Sequence, residues 1–68
     1  MTHDQVLIGN SYDHKLEGRL WRVRITHVFE DRLRWGWEGI IAEPGDNLDG
    51  TCCWGWVSEL HDPQVNAV

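Results

Sequence analysis

Apolar and polar residues alternate with period two along three stretches of the chain. In Trp21-Arg22-Val23-Arg24-Ile25-Thr26-His27-Val28-Phe29, the residues Trp21, Val23, Ile25 and Phe29 share one side and Arg22, Arg24 and Thr26 the other. In Leu33 to Ile41, Leu33, Trp35, Trp37 and Ile41 oppose Arg34 and Glu38. In Thr51 to Ser58, Cys52, Trp54 and Trp56 fall together. This alternation, with β-branched and aromatic content, predicts half-buried strands. No helical period is sustained over the roughly ten residues a helix needs. The expected fold class is therefore all-β, with at most one short helical turn.

The punctuation between the stretches sets the connections. Glu30-Asp31-Arg32 is a polar break, and Glu43 to Gly50 is a turn-rich loop. Pro44 cannot donate to a ladder, so the second strand is expected to stop near Ala42. Val6-Leu7-Ile8 reads as a short strand ended by Gly9-Asn10, and Gly18 as a bulge where the apolar parity changes. Side-chain parity proposes registers. In the first hairpin Phe29 faces Leu33, Ile25 faces Trp37, and Arg24 faces Glu38 as an outer ion pair. In the second, Ile41 faces Cys52, Gly39 faces Trp54, and Trp37 faces Trp56. A single domain over residues 1–60 is expected, with a frayed tail over 61–68.

Composition narrows the function classes. The chain has 68 residues, a net charge of −5 and 5 Trp. A core this small must be compact, and the indoles must fill much of it. Two cysteines do not make a disulfide scaffold. No apolar run reaches the ~20 residues of a membrane span, and the N-terminus lacks a signal-peptide pattern. The expectation is a cytoplasmic protein without a membrane partner. The negative balance argues against a general phosphate-backbone binder. The charge is nevertheless uneven: Arg22, Arg24, Arg32 and Arg34 form a basic stripe, while Glu43, Asp46 and Asp49 crowd one loop.

Trp-Gly-Trp occurs at 35–37 and again at 54–56. Each copy places two indoles on one strand face and an empty glycine site on the other. Trp37, Trp54 and Trp56 are expected in the core. Trp35, nearer the hairpin tip, is the expected exposed indole, available to a proline-rich peptide, a stacked base or a methylated cation. The run Gly55-Trp56-Val57-Ser58-Glu59-Leu60 resembles the end of an SH3 domain, where a Gly-Trp-hydrophobic strand enters one tight helical turn. Tyr12-Asp13 and Trp35-Gly36-Trp37 are also similar to SH3 landmarks. The resemblance implies a small SH3-like five-stranded barrel, an architecture shared with Tudor and KOW-type modules, and does not imply one ligand. The alternative architecture is a strongly twisted antiparallel sheet.

The remaining residues offer little chemistry. Cys52 and Cys53 point to opposite faces of a strand, Cys52 as core filler and Cys53 half-exposed, and no ligand spacing supports a metal. His27 is expected on the apolar face as a neutral imidazole. Asp13-His14 is a lone acid–imidazole pair in a loop, and no phosphate loop or nucleophile elbow is present. The expectation is a non-enzymatic module without a cofactor. It binds another protein through Trp35, the arginines Arg22, Arg24 and Arg34, and the acidic loop residues Glu43, Asp46 and Asp49. Alternatively, the arginine stripe binds nucleic acid, or the acids mimic one. Self-association through exposed edges and indoles is also open.

Overall fold

A computed structural model of the chain describes residues 1–63. Five antiparallel strands form one sheet: β1 (Ser11–Leu16), β2 (Arg19–Asp31), β3 (Arg34–Ile41), β4 (Cys52–Trp56) and β5 (Leu60–His61). Their spatial order is β4-β3-β2-β1-β5. Two 3-10 turns, His3–Gln5 and Val57–Glu59, complete the elements. The all-β class is as the alternation predicts. β4 and β5 remain edges that do not pair, so the sheet is open rather than a closed barrel. The expected tail begins inside the sheet, since His61 pairs with Asp13; residues 64–68 lie outside the described chain.

Turn chemistry sets the first hairpin. Glu17 and Gly18 both have positive φ, 53° and 81°. This is the two-residue connection whose twist matches that of the flanking strands. Gly18 thus turns the chain instead of bulging it. The segment Val6 to Ile8 is not a strand. Val6 is buried, and the Tyr12 hydroxyl accepts the Leu7 N–H at 2.8 Å and donates to the Gln5 carbonyl at 3.1 Å.

The β2–β3 hairpin departs from the expected register for two reasons. Its connection is only Arg32-Leu33, with Arg32 at φ 58°, so Asp31 faces Arg34 and Phe29 faces Gly36. The register also shifts between Ile25 and His27, where Thr26 is an extra residue. The Thr26 hydroxyl donates to the Glu38 carbonyl at 3.2 Å. The bulge reverses the parity of everything after it. Val28 turns inward opposite Trp37, while His27 and Phe29 turn outward. Arg24 consequently faces Ile40, not Glu38. Leu33, in the turn, is 98% exposed rather than on the apolar side.

The β3–β4 pairing is one residue from expectation: Trp37 faces Gly55 and Gly36 faces Trp56. Each Trp-Gly-Trp glycine therefore lies opposite an indole of the other copy. An alanine methyl at Gly55 would sit 3.1 Å from Trp37 Nε1 and 3.2 Å from His14 Cε1. At Gly36 the neighbour is the Phe29 ring, with Cε2 at 2.6 Å. One glycine opens the inner face to a ring and the other opens the outer face.

The core joins both wings of the sheet. Tyr12 and His14 come from β1, Trp21, Val23 and Ile25 from β2, Trp37 and Ile41 from β3, and Val57 and Leu60 from the C-terminal turn and β5. Strands three places apart in a flat sheet are separated by about 14 Å. His14 of β1 nevertheless reaches Gly55 of β4 and meets Trp37 edge-on at 5.1 Å between ring centres. The sheet must therefore curl over its inner face. The 13-residue β2 is the spine of that curl, pairing with β1 in its first half and β3 in its second.

Candidate interaction face

The bulge and the register leave the outer side of β2, β3 and β4 lined with rings. Cross-strand rows read Arg24–Ile40–Cys52, then His27–Glu38–Trp54, then Phe29–Gly36–Trp56. Trp54 is 60% exposed, and Trp56 and Phe29 are half-buried. Trp54 and Trp56 meet edge to face at 5.8 Å. The Arg34 guanidinium lies 4.0 Å over the Trp56 ring, a favourable cation–ring arrangement. His27 stacks near Phe29 at 6.3 Å. A shallow groove of about 400 Å³ beside these rows is lined by Thr26, Glu38, Ile40, Cys52 and Trp54, among others. The Trp54 indole is therefore not core filling: it lies open on the outer face beside the half-buried Trp56 and Phe29.

The exposed indole is therefore Trp54, and Trp35 is a correction to the sequence reading. Trp35 lies on the inner side, packs against the core cluster, and is covered by the His3 ring stacked at 4.0 Å and 8°. Only Trp37 of the three indoles expected in the core is fully buried. Cys52 is exposed instead of filling the core, while Cys53 is of intermediate exposure, as expected, but on the core side. Burial, and secondarily the neighbouring Cys52, raises the Cys53 thiol above its ordinary value. His27 is exposed on the outer face because of the bulge.

The arginines divide by partner. Arg22 Nε donates to Asp13 Oδ1 at 2.9 Å, and Asp13 is buried. Arg22 is thus a structural cation, and the Asp13–Arg22 row fastens β1 to β2. Arg34 sits on Trp56 and is 4.0 Å from Glu59. Arg24 is exposed and makes no ion pair among the described residues. Arg22 and Arg24 also line a groove of about 470 Å³ with Ser11, Ile40 and Pro44.

The acidic loop turns its carboxylates on itself. Glu43 Oε1 accepts the Arg22 N–H at 2.7 Å, and Asp49 Oδ1 accepts the Glu43 N–H at 2.9 Å. Asp46 Oδ1 accepts the Leu48 N–H at 2.9 Å, and Asp46 Oδ2 pairs with Arg19 at 3.2 Å. The Leu48 N–H, and secondarily Arg19, holds the Asp46 carboxyl below its ordinary range. Arg19 in turn covers Trp21 at 3.6 Å. These acids shape the loop and fasten it to β2.

Asp13 and His14 belong to β1, not to a loop, and alternation sends them to opposite sides. His14 Nδ1 and Trp37 Nε1 are buried without a hydrogen-bond partner. Burial lowers the His14 pKa, opposed by a smaller upward pull from Glu59 and aided by a further downward one from His61. Among the described residues, no group of three or more His, Cys, Asp or Glu is placed to hold a metal ion. No helix among them is long and apolar enough to cross a membrane. Compared with known protein families, curated proteins and solved structures, the chain matches none.

Proposed function

We propose that this chain is a protein-binding module that docks its partner on the outer face of β2, β3 and β4. The observation that carries the reading is the solvent-exposed indole of Trp54, set among Phe29, Trp56 and Ile40 on a sheet surface. Aromatic side chains in such positions dominate protein interfaces because they bury large area at little conformational cost. The groove beside Trp54 fits an apolar anchor. Arg24, which has no anionic partner among the described residues, fits a carboxylate next to that anchor. The strand-to-helical-turn passage at Trp56-Val57 supports the small SH3-like kinship suggested by the sequence. The acidic loop is not part of the docking surface in this reading, because its acids already have partners within the chain.

The same rings and arginines would suit stacked bases and phosphates, so the test must separate the two. Immobilised wild-type protein is exposed to lysate with and without nuclease, alongside Trp54→Ala and Arg24→Glu variants. The expected result is a discrete protein retained by the wild type and lost with either variant. Retention indifferent to both substitutions overturns the site. Material that disappears with nuclease hands the face to nucleic acid.

A further inference from the structure

The two edges of the sheet are built differently. β5 is a two-residue edge, too short to recruit another strand. β4 has five residues, Cys-Cys-Trp-Gly-Trp, with no charge and no proline, and the bulge lies elsewhere, between β2 and β3. Edge strands are ordinarily protected by charge, proline, bulges or brevity. β4 has none of these, and Cys52 and Trp54 on it are exposed.

The hydrogen-bond alternation fixes which groups face outward. The Ile41 N–H donates to the Thr51 carbonyl at 2.9 Å, so Thr51 bonds toward β3. In an antiparallel pair such positions recur every second residue. Cys53 and Gly55 therefore bond inward, opposite Gly39 and Trp37. The backbone N–H and C=O groups of Cys52 and Trp54 and the N–H of Trp56 point to the open edge, while the Trp56 C=O, as N-cap of the 3-10 turn, accepts the first bond of that turn.

We infer that β4 pairs with β4 of a second copy of this chain, antiparallel, about a two-fold axis through Trp54. This register joins Trp54 with the partner's Trp54, Cys52 with the partner's Trp56, and Trp56 with the partner's Cys52. All three are outward-facing positions: the central Trp54 pair exchanges both N–H···O bonds, and each Cys52–Trp56 pair adds the bond from the Trp56 N–H to the Cys52 C=O. Size is complementary too. On the outer face each Trp56 lies against a small cysteine, and on the inner face Gly55 lies against Cys53. No charge of the strand is brought against its own copy. Isologous two-fold contacts require this kind of self-matching. The pairing would make one continuous outer face from two copies and double the number of exposed indoles available to a partner. It does not depend on the protein-binding reading.

The test is sedimentation equilibrium of the full chain in reductant, combined with amide hydrogen exchange at low and high protein concentration. The expected result is a reversible monomer–dimer equilibrium that strengthens with added salt, because each copy carries a net charge of −5. At high concentration the amides of Trp54 and Trp56 gain protection. Those of Cys53 and Gly55 are protected at every concentration. Trp54→Lys is expected to abolish the dimer. A synthetic chain N-methylated at Trp54 removes only an outward donor, and is expected to remain folded and monomeric. A chain that stays monomeric throughout, or a dimer that leaves the Trp54 and Trp56 amides exchanging at the monomer rate, overturns the inference. A dimer that persists after N-methylation does so as well. A monomer that still captures a Trp54-dependent partner sinks the dimer alone, and a dimer that captures nothing sinks only the docking reading.

Discussion

Gly55 and Gly36 occupy equivalent places in the two Trp-Gly-Trp copies, yet alanine is expected to act differently at each. At Gly55 the new methyl would press on Trp37 Nε1 and Cε2, at 3.1 and 3.2 Å, and on His14 Cε1 at 3.2 Å. Trp37 is 0% and His14 8% exposed, so neither ring has free space to move into. Overpacking of this kind costs about 1–3 kcal/mol. The reduced freedom of the unfolded chain returns roughly 0.4–1 kcal/mol. At ~4–8 °C per kcal/mol for a domain of this size, Gly55→Ala should lower Tm by roughly 5–10 °C. At Gly36 the contact is nominally tighter, with Phe29 Cε2 at 2.6 Å. Phe29 is half-buried on the outer face, however, and its ring can rotate toward solvent. A rotamer adjustment of about 0.5–1.5 kcal/mol nearly cancels against the entropic gain. Gly36→Ala should therefore be close to neutral. The assay is thermal and urea unfolding of both variants beside wild type. If Gly36→Ala costs as much as Gly55→Ala, the distinction between a locked inner ring and a free outer ring is wrong.

Three further outcomes are expected. His14 has a lowered pKa in the fold because of its burial, so below about pH 6.5 the unfolded chain binds a proton that the folded chain does not. Stability should fall with acidification from that point until folded His14 also protonates; urea midpoints at successive pH values should show this, and His14→Phe should flatten it. Tyr12→Phe removes both hydroxyl bonds to the N-terminal segment, costing ~1–3 kcal/mol at roughly 0.5–1.5 kcal/mol per bond; faster amide exchange at Leu7 checks it, and unchanged exchange would contradict it. Arg22→Met leaves the buried Asp13 carboxylate without its Arg22 partner and should be clearly destabilising, whereas Arg24→Met should change the denaturation midpoint little; equal effects would erase the division of the two arginines.

The strands were legible because alternation is a local property. Trp21 to Ile25 and Trp35 to Ile41 carry their burial pattern in their own order, and β3 ends at Ile41, within a residue of the limit near Ala42 expected from Pro44. The registers were not legible, because one inserted residue moves every later side chain to the other face. Nothing about Thr26 as a residue marks it as the bulge. Its only sequence trace is that Ile25 and Val28, three apart, are both apolar. The swapped identities of Trp35, Trp54, Cys52 and Cys53 follow from the same limit, since each depends on which strand face became the inside. A signal was available for the second hairpin: two Trp-Gly-Trp copies pack best with each glycine opposite an indole, and parity alone overlooks that volume argument. The internal pairing of the loop acids was hidden for another reason. Glu43 and Arg22 are 21 positions apart and meet only because β2 and the loop after β3 lie side by side.

One consequence joins the core to the candidate face. Trp37 turns inward only because Gly55 leaves room for it, and Trp56 stays outward because it is one step further along the same strand. A shift of β4 by one residue would place an indole opposite Trp37 and expel one of the two. The glycines thus protect the register more strongly than any hydrogen bond in the ladder, since a slipped ladder would re-form its bonds but could not re-form this packing. Exposed Trp54 and half-buried Trp56 are held on the outer face by the demand for a ring in the core. Pressure to keep Trp37 buried is therefore also pressure to keep Trp54 exposed.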